Sequence, residues 1–109
     1  MKEGEVYFAE IKDPKGNEIQ KDRPVIIIRN FTGYNLVFVV PVSTGENRFL
    51  EPFNVPIPKT PDNGLDEDSV AITYQSTSIS KKRLIKKLGE VDKESFELVK
   101  ENLKNLLKL

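Results

Sequence analysis

The hydrophobic pattern of the chain changes period near its end, and that change separates a sheet from a helix. Over residues 5–11 the apolar positions alternate, with Tyr7, Ala9 and Ile11 on one face and Val6 and Phe8 on the other, which predicts a first strand. Val25-Ile26-Ile27-Ile28 is a continuous β-branched run and residues 36–42 form a second apolar run, as expected of strands buried on both faces. Residues 30–35, with Gly33, read as the turn between them, so the two runs form a β-hairpin. Phe53, Val55 and Ile57 alternate with Asn54 and Pro56; because proline cannot donate to a ladder, that strand belongs at an edge or a bulge. Val70, Ile72 and Tyr74 alternate with Ala71 and Thr73 and predict another strand. Residues 12–22 and 58–68 are polar and rich in turn formers, such as Asp13-Pro14-Lys15-Gly16 and Asn63-Gly64, and read as loops.

Ser80-Lys81-Lys82-Arg83 reads as a single helical turn, followed by a short strand over residues 84–88. Apolar spacings then lengthen to three and four. Phe96, Val99, Leu103 and Leu106 make one stripe behind Asp92, a fair N-cap, so the chain closes with an amphipathic helix that docks on the sheet. Five or six short strands and one closing helix indicate a mostly-β, strongly twisted, barrel-like α+β fold. No repeat, low-complexity segment or linker divides residues 1–109, which read as a single domain.

Composition narrows the chemistry. A hydrophobic fraction of 38% and a charged fraction of 31% suit a soluble globular protein. No window approaches the ~18 apolar residues of a membrane helix, and Met1-Lys2-Glu3-Gly4-Glu5 does not read as a signal peptide, so the expected location is cytoplasmic with no membrane partner. Cysteine and histidine are both absent. That excludes disulfides, thiolate metal sites and Ser-His-Asp or Cys-His catalysis, and leaves Asp, Glu, Lys, Tyr and Arg for acid–base work; no cofactor and no metal are expected.

The formal net charge is zero, which argues against coating nucleic acid through bulk charge. Its distribution is uneven. Glu51, Asp62, Asp66, Glu67 and Asp68 face Lys59 alone over residues 49–70, whereas Lys81, Lys82, Arg83, Lys86 and Lys87 face Glu90 alone over residues 80–91. The basic run reads either as a solvated face or as a ridge for local phosphate contact.

The polar segment ahead of the hairpin carries a carboxylate, Glu18, and a guanidinium, Arg23, at the mouth of the first buried run; Ser43-Thr44 ends the second. By itself Arg23 also reads as a solvated strand end. The surrounding wording bears on that choice. Gly4-Glu5-Val6-Tyr7-Phe8, Pro14-Lys15-Gly16-Asn17-Glu18, Arg23-Pro24-Val25, Val40-Pro41-Val42-Ser43-Thr44, Asp68-Ser69-Val70-Ala71, and Lys82-Arg83-Leu84 through Leu88-Gly89-Glu90 occur in this order. Together they resemble the PemK/MazF family, the mRNA interferases of type II toxin–antitoxin systems, over nearly the whole chain.

The resemblance implies an SH3-like small twisted barrel of the CcdB/PemK/MazF kind with a C-terminal helix, a homodimer, a cognate antitoxin protein as partner, and single-stranded RNA as substrate. It further implies metal-independent, sequence-specific cleavage by attack of the 2′-hydroxyl on the adjacent phosphate. In-line attack needs a base, a donor array at the phosphorane oxygens, and orientation of the backbone. Under this resemblance Glu18 is the base, Arg23 the phosphate-binding cation and Ser43 a hydroxyl donor, the catalytic set. Asn17, Gln20, Thr44, Arg48, Gln75, Lys81, Lys82 and Arg83 are the expected RNA contacts.

The chain also departs from the family pattern. Ser43 stands where many members have Thr, Thr73 and Tyr74 stand where some have an Arg-x-Asp pair, and Gln75-Ser76-Thr77-Ser78 lacks the Arg of the common Gln-x-Arg-Thr stretch. Those missing roles do not transfer. A non-catalytic domain of the same shape that binds antitoxin or RNA is the rival reading. A gyrase poison is a third, against which the set Glu18, Arg23 and Ser43 argues.

Overall fold

A computed structural model describes residues 1–11, 22–44 and 53–109. The elements run β1 (Glu5–Ala9), β2 (Arg23–Phe31), β3 (Leu36–Ser43), β4 (Asn54–Ile57), β5 (Ser69–Ile72), β6 (Thr77–Ser80), β7 (Leu84–Glu90) and α1 (Lys93–Leu107). Short 3-10 turns at Thr73–Gln75 and Lys81–Arg83 precede β6 and β7. All strand pairings among the described residues are antiparallel, in the order β4-β5-β3-β2-β1-β7, and β6 also pairs with β3.

The predicted hairpin is the spine of this sheet. Val25 pairs with Pro41, Ile26 with Val40 and Ile27 with Val39. Because successive side chains leave a strand on opposite faces, the continuous β-branched run of β2 serves two cores at once. Ile26 joins Val6, Val40, Val42, Val55 and the helix residues Val99 and Leu103 on one face. Val25 and Ile27 join Ala9, Val37, Val39 and Ile79 on the other. Each fully buried Val or Ile contributes about 1.5–3 kcal/mol relative to its exposed state, so few positions in β2 and β3 are expendable.

A bulge between Ile27 and Arg29 inserts one unpaired residue and increases the local twist. The outer edge of β3 is shared: its first half, Leu36 to Val39, takes β6, and its last residues, Val42 and Ser43, take β5. Such sharing is the geometry of a sheet curling into a small barrel rather than lying flat. β4, which contains Pro56, is an edge strand as expected.

Two sequence expectations need correction. The described residues form seven strands rather than five or six, because Thr77–Ser80 is a strand. The strand expected over residues 70–74 stops at Ile72, where the chain turns into a 3-10 segment. Thr73 is fully buried there and donates its hydroxyl to the Phe53 carbonyl, a bond that a continued ladder would not provide.

The helix forms for the reasons its sequence suggests. Asp92 accepts a hydrogen bond from the Ser95 N–H at 2.7 Å, and Phe96, Val99, Leu103 and Leu106 pack against the first core. Lys108 ends it in the left-handed conformation, with the Leu109 N–H returning to the Lys104 carbonyl at 3.0 Å. None of the helices among the described residues is long and apolar enough to cross a membrane.

Candidate functional site

Arg23 is the first residue of β2 and Ser43 the last of β3. Extending the register Val25–Pro41 by two residues sets them across from each other at the same end of the hairpin. Arg23 pairs on its other side with Ala9, which pairs in turn with Leu84; Ser43 pairs with Val70, which pairs with Pro56. One row of the sheet thus runs Leu84, Ala9, Arg23, Ser43, Val70, Pro56. Arg23 has the parity of Val25 and Ile27, and Ser43 that of Val39 and Pro41, so both belong to the face of the second core, at its end.

Arg23 is only 9% exposed. A guanidinium stays charged when desolvated, and its interactions strengthen as water is removed, so the contacts of a largely buried arginine count for more than those of a surface one. Ser43 is half-buried beside it and Thr44 is exposed.

Thr44 also lines a groove of about 620 Å³ together with Phe8, Pro24, Leu65 and Lys86. Pro24 and Thr44 are the chain neighbours of Arg23 and Ser43, so this groove opens next to the row. Sequence reading missed it because its walls come from β1, β2, β7 and the 58–68 segment, which only register unites.

The expected RNA contacts separate in space. The Arg83 carbonyl accepts from the Glu10 N–H at 2.9 Å, which brings Arg83 to the end of β1 and to the side of the row. Lys81 is held at the other end of the hairpin, its N–H donating to the Asn35 carbonyl at 3.2 Å. Lys82 follows it in the same turn, its N–H on the Ser80 hydroxyl. Gln75 ends the first 3-10 turn, which packs on α1. Glu18, Asn17, Gln20 and Arg48 lie outside the described residues.

Two other basic residues have partners or neighbours of their own. Lys87 Nζ lies 2.6 Å from Glu5 Oε2. Burial is the largest single influence on Glu5 and raises its pKa. The Lys87 hydrogen bond, the Lys2 N–H and the nearby positive charges together outweigh it and hold the carboxyl below its ordinary value. The hydrogen bond to Glu5 raises the Lys87 pKa against the effect of desolvation. Lys86 borders the groove. Among the described residues no group of three or more carboxylates is placed to hold a metal ion.

The segment between β4 and β5 is built around Asn63, which is 2% exposed. Its Oδ1 accepts from the N–H groups of Thr60 at 3.3 Å and Leu65 at 3.1 Å, and its Nδ2 donates to the Pro58 carbonyl at 2.8 Å. The Glu90 N–H donates to the Asp62 carbonyl at 2.9 Å and seats the loop on β7. One wall of the groove is thereby ordered.

The sequence matches the model of the PemK-like, MazF-like toxin of type II toxin–antitoxin systems over residues 2–107. The chain belongs to this family. A PemK/MazF relative, the endoribonuclease MazF of Staphylococcus epidermidis, is 37% identical over 91 residues, which cover 81% of this chain and 75% of that protein. The structure superposes on MazF from Deinococcus radiodurans with a TM-score of 0.83 at 21% identity, covering 98% of this chain and 96% of that one. A mycobacterial endoribonuclease in complex with its cognate antitoxin matches with a TM-score of 0.73 at 22% identity, over 98% and 94% of the two chains. The expected fold, a mostly-β PemK/MazF barrel with a C-terminal helix, is therefore the observed one.

Proposed function

We propose that this toxin is a sequence-specific endoribonuclease that cleaves single-stranded mRNA without a metal ion, and that a cognate antitoxin neutralises it. The observation that carries the reading is the largely buried Arg23 across from Ser43, in a chain whose staphylococcal relative is named an endoribonuclease. The structural match to a mycobacterial endoribonuclease captured with its antitoxin supports the second partner.

In the proposed reaction the 2′-hydroxyl attacks the adjacent phosphorus and gives its proton to the Glu18 carboxylate. Arg23 and the Ser43 hydroxyl stabilise the charge that builds on the non-bridging oxygens of the phosphorane. The bond from phosphorus to the 5′-oxygen breaks and that oxygen takes up a proton. The products are a 2′,3′-cyclic phosphate and a 5′-hydroxyl end. The protein acts as a homodimer, using strand and helix surfaces rather than the acidic segment 58–68.

Incubation of the purified protein with a long single-stranded RNA in EDTA tests this reading. The expected result is cutting at discrete positions, with a cyclic phosphate on each 5′ fragment. RNA that is bound but left intact would overturn the enzymatic reading in favour of a binding domain.

A further inference from the structure

The tip of the β2–β3 hairpin has features that the Arg23–Ser43 row does not use. The Tyr34 N–H donates to the Phe31 carbonyl at 3.0 Å and Gly33 has φ +89°, so residues 31–34 make a tight turn that needs glycine at its third position. A Cβ on Gly33 would meet nothing within 4 Å, which means the turn projects into solvent. Tyr34 is 72% exposed there, with the exposed Phe31 and Leu36 beside it.

The turn is tied to the end of β6 and to the 3-10 turn that follows it. Asn35 Nδ2 donates to the Ser80 hydroxyl at 3.0 Å, that hydroxyl accepts from the Lys82 N–H at 3.2 Å, and the Lys81 N–H donates to the Asn35 carbonyl at 3.2 Å. These bonds bring the backbone of Lys81 and Lys82 beside Asn35, the chain neighbour of Tyr34. Neither segment that builds the tip carries an acidic residue: there is no Asp or Glu in residues 23–45 or in residues 69–89.

We infer that this tip is a second contact surface for single-stranded RNA, separate from the cleavage site, in which Tyr34 stacks on a base and Lys81 and Lys82 meet the backbone phosphates. An exposed ring with neighbouring lysines, on segments that carry no carboxylate of their own, is complementary to a strand that offers π-faces and phosphates in alternation. Arg23 and Phe31 stand at opposite ends of β2, which sets Tyr34 apart from Arg23 along the hairpin. The inference rests on RNA being the substrate, and it assigns to the tip the affinity for long RNA rather than the chemistry.

Two uncleavable RNAs with 2′-deoxyribose at the cut position test it, one just spanning that position and one extended on both sides. Tyr34→Ala should bind the extended RNA about 5- to 100-fold more weakly and leave cleavage of a short substrate unchanged. Tyr34→Phe should bind like the parent, because the ring is kept. Replacing Lys81 and Lys82 with Ala should reduce the slope of log affinity against log salt by about 1.4 on the extended RNA. Equal affinity of Tyr34→Ala and the parent for the extended RNA overturns the inference. So does loss of antitoxin neutralisation with RNA affinity unchanged, since the tip would then be a protein-binding surface. If the parent itself binds neither RNA, the proposed function fails rather than the tip.

Discussion

Lys87 and Glu5 form a 2.6 Å ion pair across β7 and β1, with the carboxylate side chain only 7% exposed. A lysine that looks like part of a basic ridge in the sequence is thus committed to holding the N-terminal strand. The Glu5 carboxyl is held below its ordinary value in the folded chain, so its contribution to stability is complete above the unfolded pKa, roughly 4.3, and is lost as pH falls through the lowered value. Lys87 is raised, so its contribution is lost only as pH rises past about 10.4 through the raised value. Thermal melts of the parent and Glu5→Gln between pH 7 and pH 3 should converge as pH falls, with the variant less stable at neutral pH and less sensitive to acid. Parallel curves would mean that the pair carries no linked proton.

Arg23→Ala should lower single-turnover RNA cleavage by roughly 100- to 1,000-fold, corresponding to about 3–4 kcal/mol of transition-state stabilisation. Because Arg23 is buried, a melt must accompany the assay. Arg23→Lys, which keeps the charge and loses the planar fork, should recover only part of the rate. A folded Arg23→Ala protein that cuts RNA normally excludes Arg23 as the phosphate-stabilising group.

For the base, Glu18→Gln is expected to bind a 2′-deoxy substrate analogue as the parent does, since it removes no phosphate contact, and to cleave RNA on the order of 100-fold or more slowly. Binding titration and single-turnover cleavage on the same preparation separate the two effects. Cleavage at the parent rate would leave Glu18 a solvent-facing carboxylate and send the search for the base elsewhere.

The contact between the 58–68 segment and β7 tolerates no side chain. A Cβ at Gly64 would lie 2.1 Å from the Leu88 carbonyl oxygen, and one at Gly89 would lie 2.2 Å from that of Asp62. Both obstacles are backbone and cannot rotate away, and Gly64 also has φ +70°. Gly64→Ala and Gly89→Ala should each cost about 2 kcal/mol or more by urea denaturation. Asn63→Ala, which leaves two N–H groups and one carbonyl without their partner, should cost roughly 3 kcal/mol.

Asp92→Ala removes the cap on the Ser95 N–H and should cost about 1 kcal/mol, with Asp92→Asn largely neutral. Helix content by circular dichroism and a urea midpoint on each variant check this.

Local regularities of the sequence decided a good part of the molecule. The alternation in β1, the β-branched run of β2, the edge proline of β4, and the three-and-four spacing behind the Asp92 cap depend on side-chain direction along one element, which a sequence displays directly. Antiparallel pairing of the two runs also followed, and with it the meeting of Arg23 and Ser43 at one end of the hairpin. The tertiary structure alone decided the rest. Thr77–Ser80 has a single buried apolar residue, Ile79, and is a strand because β3 offers it an unpaired edge. Residues 73–75 leave the extended conformation because the burial and hydrogen bond of Thr73 favour a turn over another alternation. The basic run, continuous in sequence, is divided by register: Lys81 goes to the hairpin tip, Arg83 to the end of β1, Lys86 to the groove and Lys87 to Glu5. Each of these depends on what a segment meets across the barrel, and contacts between distant residues leave no period in the chain to read.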